Sequence, residues 1–289
     1  YKLIMDEQAV NEKKLPFDWS SYNLGNTDTD WVNKMLVDDA VTQNYILGVQ
    51  GGGESSVYSL SLSYTGQEGV VGGSDVSNYR RYGFRVNTEH KLYKDVLKVG
   101  QHMTFAFTNT RGIADGNQYG NSLRGAFGMS PFVPVYDSKG NYWDNSESLW
   151  NNQEGNPYGS MMLGNQSRKN NQKLIGDVYA ELQIIKNLKF KTTFGFDFYS
   201  DDDRNYTPTY KFSVGDTQHS VTKVSQSMNK GYAYSIDNVL SYHFDINQHS
   251  IDAMVGQSAR KYQGQGLWGN NTDLRTPGYQ YAWLNNAEN

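Results

Sequence analysis

Few side chains in this 289-residue sequence are placed to do chemistry. The run Asp201-Asp202-Asp203, with Asn205 close behind, offers oxygens of the kind calcium takes, but not the spacing of a calcium-binding loop. A solvated acidic loop tip explains it more simply. Asp28 and Asp30 offer the same oxygens, and Asp30 reads more simply as a helix N-cap. The five histidines, His90, His102, His219, His243 and His249, form no HExxH and no His-x-His pair, so no metal site is expected. There is no G-x-S-x-G and no glycine-rich loop before a helix, and Gly51-Gly52-Gly53 reads as a strand turn rather than a phosphate cradle. Asp177 and Glu181 alternate onto one face of a strand, with Asp197 on the next, as the paired carboxylates of a glycosidase would. Lys189 and Lys191 beside them favour the plainer reading of a polar wall. No catalytic residue and no cofactor is assigned, and the chain is not expected to be an enzyme.

Binding chemistry is better represented. Residues 110–171 carry Tyr119, Phe127, Phe132, Tyr136, Tyr142, Trp143, Trp150 and Tyr158 among many Asn and Gly. Rings stack on sugars and peptides, and amides offer both donors and acceptors. Tyr119, Tyr142, Trp143, Trp150 and Tyr158 are therefore the candidate substrate contacts. The competing reading of each ring is packing within an ordered loop.

The elements that must carry these residues are strands. Aromatics are 14% of the chain and charged residues only 19%, with 29 glycines and six prolines. That composition favours strands and turns. No run approaches the length of a membrane-spanning helix, and the aromatic content is too high for disorder. The net charge is -4, so nucleic acid is not an expected partner. Cysteine is absent, which removes disulfides and thiol chemistry. The opening residues, Tyr1-Lys2-Leu3-Ile4-Met5, resemble neither a signal peptide nor an initiating Met, so an internal segment of a longer chain is expected.

Asp6 to Lys14 suggests a short helix, and Trp31 to Val37 a second, with Trp31, Met35 and Leu36 on its apolar face. From residue 41 the period becomes two. Tyr58, Leu60, Leu62 and Tyr64 alternate with serines. Leu97, Val99, Met103, Phe105 and Phe107 form one face of another strand. Leu188, Phe190, Phe194, Phe196 and Phe198 form a third, and Tyr232 to Phe244 a fourth. Weaker alternation in 41–50, 79–88, 174–184 and 249–257 completes about eight strands. Tight turns at Gly51 to Glu54, Lys91 to Val96, Lys186-Asn187 and Asp245 to Gln248 alternate with long connections, above all 110–171 and 200–229. Short turns at one end and long loops at the other are the pattern of an outer-membrane β-barrel. The fold expected is all-β: an antiparallel transmembrane β-barrel, about eight strands of a larger barrel. Residues 1–40 would be an extracellular loop, 41–263 the barrel arc and 264–289 the start of a further extracellular loop. Tyr58, Leu60, Leu62, Phe105, Phe194 and Phe196 would face outer-membrane lipid. The alternative is a soluble extracellular β-sandwich that binds carbohydrate.

Several motifs resemble the SusC/RagA family of TonB-dependent outer-membrane transporters of Bacteroidetes. They are Thr29-Asp30-Trp31, the strand Gln43 to Gln50 ending at Gly51-Gly52, the strand Ser56 to Tyr64, and Gln67-Glu68-Gly69. Ser130-Pro131-Phe132-Val133-Pro134 and Gly140-Asn141-Tyr142 continue the likeness, which spans most of residues 25–262. The first Gly-Gly is extended here by Gly53. The resemblance implies that the larger barrel has about 22 strands, and that it imports a bulky nutrient, an oligosaccharide or a peptide. It also implies a SusD-like surface lipoprotein as lid, and coupling to the TonB-ExbB-ExbD complex through a plug and TonB box that lie outside this sequence.

Overall fold

The computed structural model describes residues 2–12, 27–93, 96–114, 116, 121–148, 152–216 and 219–287. Eight strands form a single antiparallel sheet in strict sequence order: β1 Thr42–Gly52, β2 Ser56–Glu68, β3 Asn78–Leu92, β4 Leu97–Arg111, β5 Gln166–Ile185, β6 Leu188–Thr207, β7 Lys223–Ile246 and β8 His249–Thr272. A sandwich needs two sheets packed face to face. Among the described residues no second sheet exists, and β1 and β8 do not pair, so the sheet is not closed.

Every tight turn expected from the sequence joins neighbouring strands. Asn187 and Asn247, each in the turn between paired strands, take φ of 68° and 55°. Asn tolerates this left-handed region better than most side chains, because its short amide bonds locally. The strands lengthen across the sheet, from 11 residues in β1 to 24 in β7 and β8. This corrects two expected boundaries. Residues 200–207 continue β6 and 223–229 begin β7, so the connection between them is 208–222 rather than 200–229. β8 likewise runs past residue 263 to Thr272. Polar residues dominate both faces there, and Tyr206, Val224, Met228, Leu267 and Trp268 are too scattered for alternation to mark these residues as strand.

Pairing register sorts the side chains onto two faces. Tyr58, Leu60, Leu62, Phe105, Phe194 and Phe196 share one face, joined through Val86, Phe84, Leu174 and Val178. Rings contact one another along it: Tyr45–Tyr64 at 6.1 Å between centroids, Tyr64–Tyr82 at 5.2 Å and Tyr82–Phe107 at 6.2 Å. The opposite face carries the serines of β2 and most of the charge.

The apolar zone does not run straight across the strands. One registered row contains Leu47, Leu62, Phe84, Phe105, Leu174, Phe198, Tyr232 and Gln263, apolar up to β7 and polar at β8. The apolar residues of that face on β8 are Ile251, Ala253, Val255 and Ala259, with Leu267 standing apart beyond the polar run Lys261, Gln263 and Gln265. The zone is thus displaced towards the tight turns by about eight residues over seven strand spacings, which at ~3.4 Å per residue and ~4.8 Å per spacing is an inclination of roughly 40°. The turns follow it: the row through Val57 reaches β7 at Asp237, while the β7–β8 ladder runs on to Ile246.

Small residues let rings lie flat on the sheet. Gly100 is registered with Tyr179, and a Cβ on Gly100 would come within 2.5 Å of that ring. Gly231 stands in the same relation to Tyr199, with 2.6 Å to its ring. Gly100→Val is expected to lift the Tyr179 ring and break its 2.7 Å hydrogen bond to Glu89. The cost should be about 1–3 kcal/mol, as for other overpacked sites, read as a lower unfolding midpoint in detergent. Gly53→Val, with open space around it, should leave the midpoint nearly unchanged.

Candidate functional site

Two assemblies are candidates: the loops at the open end of the sheet and the polar face of the strands. The loops are held by a small core of their own. Helix α1, Lys2–Asn11, starts four residues earlier than the expected Asp6, and Lys14 lies outside the described residues. In helix α2, Trp31–Met35, Asp30 caps the helix as expected, its carboxylate accepting from the Asn33 N–H at 2.9 Å. Trp31 and Met35 are buried, but Leu36 is not on that face. It leaves the helix, is exposed, and bridges to Val71. Helices α3 Gly73–Val76, α4 Arg124–Gly128 and α5 Pro157–Gly164 bring Val76, Ala126, Met129, Val133 and Met161 against Trp31 and Met35.

Polar anchors fix this core. The Trp31 indole N–H donates to the Ser130 carbonyl at 3.0 Å, and the Thr29 hydroxyl to the Val133 carbonyl at 2.8 Å. Asn156, wholly buried, caps α5 by accepting from the Gly159 N–H at 2.9 Å and donates to the Val135 carbonyl at 2.7 Å. Asn145, also wholly buried, donates to the Glu154 carbonyl at 3.0 Å. The abundant loop Asn residues therefore do structural work, pairing backbone groups that an irregular buried segment would otherwise strand.

Of the five candidate contacts, Tyr119 and Trp150 lie outside the described residues. Tyr142, Trp143 and Tyr158 come together. Trp143 and Tyr158 pack against the loop core. Tyr142 stacks on Tyr136 at 5.5 Å and meets Tyr158 and Phe212 edge-on, each at 6.0 Å. Burial pushes the Tyr142 and Tyr158 phenols above their ordinary pKa, and so does the neighbouring Tyr136. The Trp143 indole N–H is shut off from solvent and meets no acceptor among the described residues. Tyr136 is the most open member of the group, and Lys34 holds its ammonium over the Tyr136 and Tyr158 rings at 5.8 and 5.1 Å.

The row of rings continues into the connection between β6 and β7, which sequence spacing did not link to the site. Phe212 stacks on Tyr210 at 4.9 Å, and Tyr210 on His219 at 4.0 Å. The Tyr210 hydroxyl lies 3.0 Å from His219 Nε2, and His219 Nδ1 contacts the Asp216 carboxylate. The only local hint was the aromatic pair two residues apart, Tyr210 and Phe212.

The polar face carries a run of paired charges. Lys98 meets Glu89 at 3.3 Å, His102 meets Asp177 at 3.1 Å, Lys173 meets Asp197 at 3.4 Å and Lys189 meets Glu181 at 3.4 Å. Glu181 and Asp197 are each matched to a lysine, and Asp177 to the His102 imidazole. Asp201–Asp203 lie within β6 rather than at a loop tip, where Asn171 bonds Asp201 and Asn170 bonds Asp202. Among the described residues no cluster of His, Asp and Glu could hold a metal ion. This wall offers polar contacts and balanced charge but no catalytic constellation.

Two outcomes test this assembly. Trp31→Ala should open the loop core at a cost of about 3–5 kcal/mol, seen as rapid proteolysis within residues 112–165, while Phe127→Ala, at an exposed ring, should not. Burial, with the Asp216 charge, pushes the Tyr210 phenol up to about 12. Because the folded value is raised, its contribution to loop docking is complete below the ordinary tyrosine value near 10 and is lost as pH rises towards 12. Ultraviolet titration should find several late-ionising tyrosines, Tyr142 and Tyr158 among them, and Tyr210→Phe should remove one from that group.

No family model matches the chain. Among curated proteins, the TonB-dependent receptor SusC of Bacteroides thetaiotaomicron is 24% identical over 282 residues, which are 91% of this chain and 27% of that protein. TonB-dependent receptor P3 of Formosa agariphila is 25% identical over 256 residues, 86% of this chain and 24% of that one. TonB-dependent receptor P26 of the same organism is 27% identical over 263 residues, 89% and 24%. The chain thus spans about a quarter of the length of the curated relatives it matches. Among solved structures, the RagAB peptide transporter superposes with a TM-score of 0.73 at 19% identity, covering 99% of this chain and 32% of that one. The open-open state of the RagAB peptide importer gives 0.73 at 20% identity, covering 92% and 28%.

Proposed function

We propose that the chain, similar along most of its length to TonB-dependent receptors such as SusC, forms an arc of an outer-membrane barrel importing a bulky nutrient. The observation that carries this reading is the inclined apolar zone. A hydrocarbon slab has a fixed height, and barrel strands cross it at about 35–45°. An apolar zone inclined by about the same angle to the registered rows is what a slab cut through tilted strands leaves behind. Tyr58, Leu60, Leu62, Phe105, Phe194 and Phe196 then face lipid, and the charged face turns to the lumen.

Residues 41–272 supply the membrane arc and its extension, with 27–40, 112–165 and 208–222 outside the cell. The import substrate is an oligosaccharide or a peptide, reached by Tyr136 and its neighbours on a frame built by Tyr142, Trp143 and Tyr158. Tyr119 and Trp150 belong to the same proposed surface. A SusD-like lipoprotein would close over these loops, and energy would come from the TonB-ExbB-ExbD complex.

The test is a pair of lysines one residue apart in the full transporter. Leu62→Lys puts a charge into hydrocarbon and should cost about 2–4 kcal/mol, with less folded barrel in the outer-membrane fraction. Ser63→Lys points the other way and should assemble normally. Equal tolerance of both would contradict the reading.

A further inference from the structure

Above the aromatic zone, the lipid-side face changes character within two rows. Phe105, Leu174, Phe198 and Tyr232 form the lower row, and Gln172, Ser200, Lys230 and Gln265 the next one up. The two rows line an open groove of about 380 Å³. Its floor is apolar. Its upper wall carries amides, a hydroxyl and one ammonium. Lys230 is exposed and makes no ion pair among the described residues. The nearest carboxylate on that face, Asp202, is one row higher and accepts from Asn170 at 3.1 Å.

The groove belongs to a wider asymmetry. At the long-loop border this face carries Arg80, Arg111, Arg168, Lys230 and Lys261, with Arg204 covered by the Tyr279 and Trp283 rings, against Glu68 and Asp202. At the tight-turn border its basic side chains, among the described residues, are His90 and His249 alone. A cationic rim beside an apolar groove at one membrane border fits a ligand that is anionic at one end and hydrocarbon at the other.

Resting on the membrane reading above, we infer that this groove binds one phosphorylated membrane lipid of the outer leaflet. An acyl chain lies over Phe105, Leu174, Phe198 and Tyr232. The phosphate pairs with the Lys230 ammonium, and Gln172, Gln263 and Gln265 offer hydrogen bonds to the headgroup hydroxyls. The gain comes from chain burial and from a charge pair at the edge of hydrocarbon, where screening is weaker than in bulk water.

The experiment uses the full transporter in phosphatidylcholine nanodiscs doped with either lipid A or dephosphorylated lipid A, with retained lipid counted by native mass spectrometry. One lipid A should be retained saturably by the unaltered protein. Lys230→Glu should weaken retention at least tenfold, while Lys186→Glu, in a tight turn at the opposite border, should not. Equal retention by Lys230→Glu, or equal retention of the dephosphorylated lipid, overturns the inference. So does a lipid-free dimer, which would make the groove's occupant a second copy of the chain. Failure of the membrane reading would look different: no incorporation into nanodiscs with any lipid.

Discussion

Backbone pairing is the constraint on which everything else in this chain depends. Hydrocarbon offers no partner to an N–H or a carbonyl, so a strand within it must be laddered on both sides. Seven consecutive antiparallel pairings supply this for the strands from β2 to β7, with one irregularity, at Gln183/Ile185 near a tight turn. β1 and β8 are laddered on one side each. In a bilayer their outer edges call for further strands, which agrees with the match of this sheet to part of a larger barrel.

Once register is fixed, side-chain chemistry has no freedom to mix. Each residue's face follows from its parity, and a slip of one would send Phe194 to the charged side and Lys191 to the aromatic one. The ion pairs of the polar face depend on this. Individually each is worth little, because all are partly solvated. Together they let a wall hold many charged groups with its formal charges paired. The outward face is divided by height instead: aromatic in the inclined zone, polar and cationic above it. There the extension is no longer bare, since residues 273–287 fold back on it, Leu274 and Ala282 packing against Tyr206 and Val224. Arg204 is sandwiched beneath, 4.3 Å from the Tyr279 ring and 3.9 Å from that of Trp283.

The strands within the apolar zone were legible because one face there is apolar and the other is not. Tyr58 to Tyr64 alternates with serine, and Phe194 to Phe198 with glycine and aspartate. Where β6, β7 and β8 leave that zone, polar residues dominate both faces, and the period-two signal fades while the ladder continues. Pairing alone carries those residues as strand, and pairing partners are not written in a local pattern. The loops divide the same way. Asp30 as a cap was readable from three residues. The aromatic group was readable only as composition, since Tyr142, in contact with Tyr136 and Tyr158, meets Phe212 from a distant part of the sequence. The burial of Asn145 and Asn156 left no local trace, because a buried asparagine and a solvated one look alike in sequence.

The central claim is that a membrane slab cuts this sheet at an angle. Oxygen accessibility of single spin labels along β2 and β8 of the full transporter in bilayers measures this most directly. Accessibility should alternate with period two on both strands and peak near Leu60 and Leu62 on β2. On β8 it should peak near Val255, about eight residues from Gln263, the residue registered with Leu62. A peak at Gln263, or no alternation at all, would contradict the account.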